Sequence, residues 1–305
     1  MAMKPAINFM GVRNIAFAIT IILTVASLGS LVFKGLNFGL DFTGGTLIEL
    51  NYAKPIQPEL VREQLRAAGY GDAQVQSFGA TTDILVRLAG DDPQLGNKVA
   101  QALEVQGGDN KLTINRVEFV GPAVGEELRD QGGLGMLLAM AGIMLYVAFR
   151  FQWKFGAGAI VALFHDVILT LGVFSFFQIS FDLSVLAAVL AIIGYSLNDT
   201  IVVFDRIREN FRLLRKADLI ENINISTTQT LLRTLATSIS TLLAVAALMF
   251  MGGENLWGFS LALFIGVTAG TYSSVYMASV ILIWLDLTSD DLIPPVEVEA
   301  VDDRP

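Results

Sequence analysis

Six runs of apolar residues interrupt a chain that is otherwise of mixed polarity. They lie near 15–33, 134–150, 156–178, 183–204, 229–250 and 257–285. As a helix, each is long enough to cross a hydrocarbon core of about 30 Å. The run at 134–150 is the weakest, because Gly132, Gly133 and Gly135 blur its start. The run at 257–285 is long and suits a tilted span. The first run, Ile15 to Phe33, exceeds the about 7–15 apolar residues of a signal-peptide core, and no A-x-A site follows it. It reads as an uncleaved anchor.

Residues 35–133 have a different rhythm. Thr46–Tyr52, Ala73–Ser77, Asp83–Leu88 and Leu112–Val120 read as strands. Gln57–Ala68 reads as a helix, with Pro58 tolerated in its first turn, and Pro93–Val105 as a second. The order βαββαβ is the ferredoxin-like pattern. Gly79, Gly90, Gly107 and Gly108 fall between these elements, where loops belong. The expected architecture is a polytopic α-helical membrane protein with a small α+β domain between its first and second helices. Its parts are 1–34, the N-terminus and first helix; 35–133, the domain; 134–286, five helices; and 287–305, an acidic tail read as disordered or as a short contact arm.

Composition agrees with this pattern and narrows the function. Of 305 residues, 53% are hydrophobic and 16% charged, against about 25% charged in an average soluble domain. A net charge of −9 argues against nucleic-acid binding, which needs a basic footprint. With no cysteine and one histidine, His165, there is no disulfide, no thiolate nucleophile and no Cys/His zinc site. No cofactor or metal is expected. Arg206, Arg208, Arg212, Arg215 and Lys216 crowd the 205–228 segment, Arg150 and Lys154 flank the 151–155 connection, and Lys4 and Arg13 precede the first span. The connections near 179–182 and 251–256 carry neither Lys nor Arg. The positive-inside rule then puts both termini in the cytoplasm and 35–133 outside. The nine Lys/Arg of segment 34–133 do not oppose this, since long domains translocate largely regardless of charge.

Ionisable residues inside the spans are the candidate chemistry. Asp199 lies in GYSLNDTIVVFDRIREN, Gly194 to Asn210. A charge at the centre of a span costs about 2.5–3.5 kcal/mol and usually has a function. The bland alternative is a solvated residue near the cytoplasmic end. Arg233, about one turn into the fifth span, is the natural partner, and pairing would lower the cost of burying both. Snorkelling to the headgroups is its other reading. His165 and Asp166 are neighbours in the third span, either relay groups or satisfied core residues. Gly266, Gly270 and Ser274 form a small-residue stripe for close helix packing. GLDFTGGT, Gly39 to Thr46, is Gly-rich but lacks the Gly-Lys-Ser/Thr ending of a phosphate loop, and reads as a tight turn.

These segments resemble the SecF branch of the SecD/SecF family, in the RND superfamily. The likeness is carried by GLDFTGGTLIEL from Gly39, VEFVGPAVGEEL from Val117, FRFQWKF from Phe149, ALFHDVILTLG from Ala162, GYSLNDTIVVFDRIREN from Gly194 and TQTLLRTLATS from Thr228. It spans about 35 to 280. The resemblance implies half of a twelve-span unit, completed by a SecD-like subunit. That pair would assist the SecYEG channel and the ATPase SecA in protein export across the inner membrane, using the proton gradient to draw or release polypeptide on the outer side. It implies a proton path through Asp199 and Arg233, to which His165 and Asp166 are added here. The turn containing Gly39, Asp41, Gly44 and Gly45 would couple the bundle to the outer domain. No enzymatic activity is expected.

Two rivals share these residues. An RND-type proton-coupled small-molecule exporter would need larger outer domains than about 100 residues. An intramembrane aspartyl protease would use Asp166 and Asp199 as a dyad, but HDV and SLNDT lack the GxGD pattern.

Overall fold

The structure is a computed structural model that describes residues 6–78, 80–90, 92, 94–106, 110–214, 217–288 and 291. A 3-10 turn at Phe9–Val12 leads into α1, Arg13–Phe33. The chain continues through β1, Asn37–Phe38; α2, Leu40–Thr43; β2, Gly45–Tyr52; α3, Pro58–Ala67; β3, Gln74–Phe78; β4, Ala80–Leu88; α4, Leu95–Gln106; and β5, Leu112–Val120. The remaining elements are α5, Pro122–Arg150; α6, Trp153–Phe177; β6, Ser180–Phe181; α7, Leu183–Leu213; α8, Leu219–Met251; α9, Glu254–Val275; and α10, Met277–Trp284. Among the described residues, six helical stretches are long and apolar enough to cross a membrane, the last being α9 and α10 together.

The four long strands form one antiparallel sheet in the order β3-β4-β2-β5, with α3 and α4 packed on one face. This is the ferredoxin-like arrangement expected from the element order. Strand alternation decides which side chains meet the helices. Ile48, Leu50 and Tyr52 of β2, with Ile84, Val86 and Leu88 of β4, pack against Val61, Leu65, Val99 and Leu103 of the two helices. The alternate positions Leu47 and Leu85 turn to the other face and join Leu40 of α2. Arg87 follows the same alternation, two residues beyond Leu85, and so points away from α3 and α4 towards the bundle.

Three expected boundaries move. The helix expected from 134 begins at Pro122, directly after β5, so the expected border at 133/134 falls inside α5. Proline at N1 gives up no needed N–H, and the glycines at 132, 133 and 135 are carried within one continuous helix. The expected 205–228 loop is almost entirely helical, because α7 runs on to Leu213 and α8 starts at Leu219. Ion pairs Arg206–Glu209 and Arg208–Asp205 support the end of α7, and Asp218 caps α8 by accepting from Glu221 N. The expected long last span divides at Tyr276, between α9 and α10. Gly79, Gly107, Gly108, Arg215, Lys216, Lys4 and most of the 287–305 tail lie outside the described residues. Within the tail, Asp291 pairs with Lys154 at 2.6 Å, which holds its carboxyl below the usual range.

In the bundle, α7 and α9 are the most enclosed helices, and α5 and α8 the least. On α1, Ser27 lies so close to Gly172 of α6 that a Cβ there would overlap it. Ser30 shares a 2.9 Å hydrogen bond with Ser175 of α6. Tyr272 of α9 donates to Ala16 O at 2.7 Å and accepts from Thr20 at 3.3 Å.

Where β2 begins, Gly44 and Gly45 have φ of +66° and +112°. A Cβ on Gly44 would sit 2.7 Å from Pro122 Cα, and one on Gly45 would overlap the carbonyl oxygen of Leu88. Gly45→Ala should therefore lower the opening free energy of the sheet by at least about 2 kcal/mol. Amide hydrogen exchange on β2 and β4 measures it. Gly71→Ala, with open space around the added methyl, should change it by less than about 0.5 kcal/mol.

Candidate functional site

Two buried carboxylates lie in the helix bundle, and their surroundings differ. Asp166 on α6 is fully buried. Its Oδ2 accepts from Ser196 of α7 at 2.5 Å and from Ser273 of α9 at 2.7 Å. Its Oδ1 lies 2.9 Å from Nδ1 of His165, and its backbone carbonyl accepts from Thr170. His165 is also buried, and its Nε2 has no hydrogen-bond partner among the described residues. Adjacent helical residues point about 100° apart, yet this pair bonds to itself while Asp166 reaches two other helices. The side chain of Asp166 thus has a donor at each oxygen and ties α6, α7 and α9 together.

Asp199 on α7 is 3% exposed. Ser238 and Arg233 of α8 are the polar and the charged side chain that act on its carboxylate. Its Oδ2 has no partner among the described residues. Ser238 is held in place by Thr271 of α9 at 2.7 Å and accepts from Tyr195 of α7 at 3.3 Å. Asp199 therefore sits where α7, α8 and α9 meet, with its Oδ2 unpartnered among the described residues.

The direct Asp199–Arg233 ion pair expected from sequence is absent among the described residues, where no Asp/Glu oxygen lies within 4 Å of the Arg233 guanidinium. Helix geometry gives the reason. Thr234 and Ser238 turn inward on α8, so Arg233 falls on the outer face with Thr237 and Ser240. Those hydroxyls return their hydrogen bonds to their own helix, Thr237 to Arg233 O and Ser240 to Thr237 O. A polar stripe at i, i+4 and i+7 thus faces outward on a span whose apolar stretch is only 17% buried. An arginine facing lipid costs about 2.5–3.5 kcal/mol, so this face needs a polar or protein neighbour.

Asp166 and Asp199 share no hydrogen bond, and their partners differ, so the dyad geometry of an aspartyl protease is missing. Gly266 and Gly270 of α9 face α7. A Cβ on Gly266 would overlap Ile192, and one on Gly270 would lie 3.0 Å from Ser196. The small residue at 270 thus lets Ser196 stand where it can reach Asp166. Ser274 is buried and bonds to Thr271 O on its own helix.

The turn from Gly39 to Gly45 contains α2 rather than opening straight into a strand. Asp41 Oδ2 accepts from Leu183 N, the first residue of α7, at 3.0 Å. Asp182 caps the same helix, accepting from Val185 N at 2.9 Å and from Ser184 at 2.7 Å. Sequence reasoning passed over Asp182, although Asp-Leu-Ser before an apolar helix is a capping signal. It also passed over Ser196 and Ser273, which have no signature apart from lying on spans beside a buried acid, whereas Ser238 belongs to the run of fifth-span hydroxyls suited to bonding between helices.

A family model described as protein export membrane protein SecD/SecF, C-terminal, matches residues 100–288. A SecD/SecF GG motif matches residues 29–56, the segment of α1, the Gly39–Gly45 turn and β2. A protein translocase subunit SecF from Pseudomonas aeruginosa is 69% identical over 299 residues, covering 98% of both chains. One from Escherichia coli O157:H7 is 43% identical over 304 residues, covering 98% of this chain and 94% of that one. The crystal structure of SecDF, a translocon-associated membrane protein from Thermus thermophilus, superposes with a TM-score of 0.85 at 39% identity. A SecDF structure in a super-membrane-facing form gives 0.68 at 40% identity. Each match covers 94% of this chain and 40% of the SecDF chain, so the present chain spans well under half of that longer protein.

Removing the Asp166 carboxylate leaves Ser196 and Nδ1 of His165 without this partner and Ser273 with the longer bond to Gly270 O. Asp166→Ala should lower bundle stability by about 2 kcal/mol or more. Asp199→Asn, which keeps size and loses less bonding, should cost under about 1 kcal/mol. Thermal melts of the detergent-solubilised protein would show the order, and a reversed order would contradict the assignment of Asp166 as the tie.

Proposed function

Because the chain belongs to the SecD/SecF family, as a SecF-type subunit that serves Sec protein export together with SecD, we propose that it couples proton entry to that export through Asp199. The carrying observation is a buried carboxylate with one oxygen unpartnered, one helix away from an outward-facing arginine. A proton arriving at Asp199 cancels its charge, and with it the attraction to the positive charge of Arg233. The contacts between α7 and α8 are then no longer the same, and the two helices can shift.

The outward stripe of Arg233, Thr237 and Ser240 supports a polytopic neighbour at this face. A SecD-like subunit with an acidic residue at the same depth would fit it. With its basic loops inward, the chain would sit in the inner membrane with both termini cytoplasmic and the α+β domain outside. There the domain would act beside the SecYEG channel and SecA, on polypeptide emerging from the membrane. His165 and Asp166 take a different place in this reading. With its carboxylate already engaged at both oxygens, Asp166 holds the frame in which Asp199 moves, and Nε2 of His165 is left without a partner among the described residues.

Asp199→Asn should slow export of a secreted reporter at least about ten-fold in cells relying on this subunit, a loss of one order in rate for about 1.4 kcal/mol. Arg233→Leu should do the same. The subunit should still accumulate in the membrane and co-purify with SecD. Export at the normal rate with asparagine at 199 would end the proton-coupled reading.

A further inference from the structure

The α+β domain is fastened to the bundle at a seam that the proton-coupled reading does not use. β1 pairs in parallel with β6, Asn37 opposite Ser180 and Phe38 opposite Phe181. Gly39 N donates to Phe181 O at 2.7 Å, extending the pairing by one bond. β1 belongs to the link from α1 into the domain, and β6 to the connection between α6 and α7. Neither strand is part of the four-stranded sheet.

Arg87 lies across this seam. It stands on β4, in the body of the domain, on the sheet face turned towards the bundle. Its Nη1 donates to Phe38 O at 3.1 Å and its Nη2 to Ser180 Oγ at 3.2 Å, so one guanidinium grips both strands. Asp182, the cap of α7, faces it as a negative charge. Beside it, Asp41 holds Leu183 N. The outer end of α7 is therefore held by Asp41 from the turn below the domain, and by Arg87 from the domain sheet through Ser180, three residues before Leu183.

α7 is the helix that carries Asp199. Asp199 lies 16 positions after Leu183 along unbroken helix, a rise of about 24 Å. A helix of this kind transmits an axial shift along its length, and what it moves depends on what is attached to its end.

We propose that Arg87 is a positioning residue that couples the α+β domain to the N-terminus of α7, so that the domain and this helix move as one body. The proposal rests on the proton-coupled reading only for what drives α7. A planar two-pronged donor is needed to reach a carbonyl and a hydroxyl on two strands together, so lysine replaces it poorly.

In cells relying on this subunit, Arg87→Ala should slow reporter export about ten-fold, with normal membrane abundance and co-purification with SecD, and Arg87→Lys should fall between. Ser180→Ala, which removes the hydroxyl that Arg87 holds, should slow export by a smaller factor, and the Arg87→Ala, Ser180→Ala protein should be no slower than Arg87→Ala alone. Normal export with Arg87→Ala overturns the proposal, as does a double variant slowed by the product of the two single effects. Asp199→Asn run in parallel separates the two ideas. If that variant exports normally while Arg87→Ala stays slow and non-additive with Ser180→Ala, the proton reading fails and the link stands; the opposite pattern removes the link alone.

Discussion

A carboxylate held between apolar helices must receive hydrogen bonds from its neighbours or give up its charge. That constraint organises this bundle. Asp166 meets it fully, taking donors from its own helix and from two others, and so α6, α7 and α9 form one connected unit. Asp199 meets it only in part. The difference divides two acids that look alike in sequence: one belongs to the frame, the other to the part of the frame that can change. Gly270 belongs with Asp166, since its missing side chain lets Ser196 approach α9 and the acid at once.

Much of the fold was legible because membrane spans and half-buried strands write strong periodic signals. All six spans and the βαββαβ order could be read from apolar runs and alternation. The borders of α5, α7 and α8 were not, because those helices run on past their apolar runs. There the stabilising contacts are caps and ion pairs, such as Asp218 to Glu221 N and Arg206 to Glu209, which hydrophobicity does not register. The acids at 166 and 199 were legible as costly residues in spans. Their partners were not: serine and threonine are common in spans, and which of them faces an acid depends on helix rotation. Arg233 shows the same limit. One position along α8 decides whether it faces inward, as Thr234 does, or outward.

The glycines at 44 and 45 show how a short motif can be structural and functional together. Their left-handed backbone and the absence of side chains let β2 start directly against β4 and against the first turn of α5. The same tight turn brings Asp41 to the end of α7. A bulkier turn would push that carboxylate away from the helix it caps, so packing in the domain and attachment to the bundle depend on the same two residues.

The contacts of α1 bear on how the protein is made. Its Ser27 and Ser30 meet neighbours on α6, while Ala16 O and Thr20 meet Tyr272 of α9, 252 residues after Thr20. Ribosomes add about 5–20 residues per second, so the Ala16–Thr20 end of this helix waits about 13–50 s between the synthesis of Thr20 and that of Tyr272. Its Ser27–Ser30 end can meet α6 earlier, once Gly172 and Ser175 have been made. The α+β domain is synthesised before either surface. Docking of α1 therefore proceeds in two stages, the Ser27–Ser30 end first and the Ala16–Thr20 end once α9 is in place.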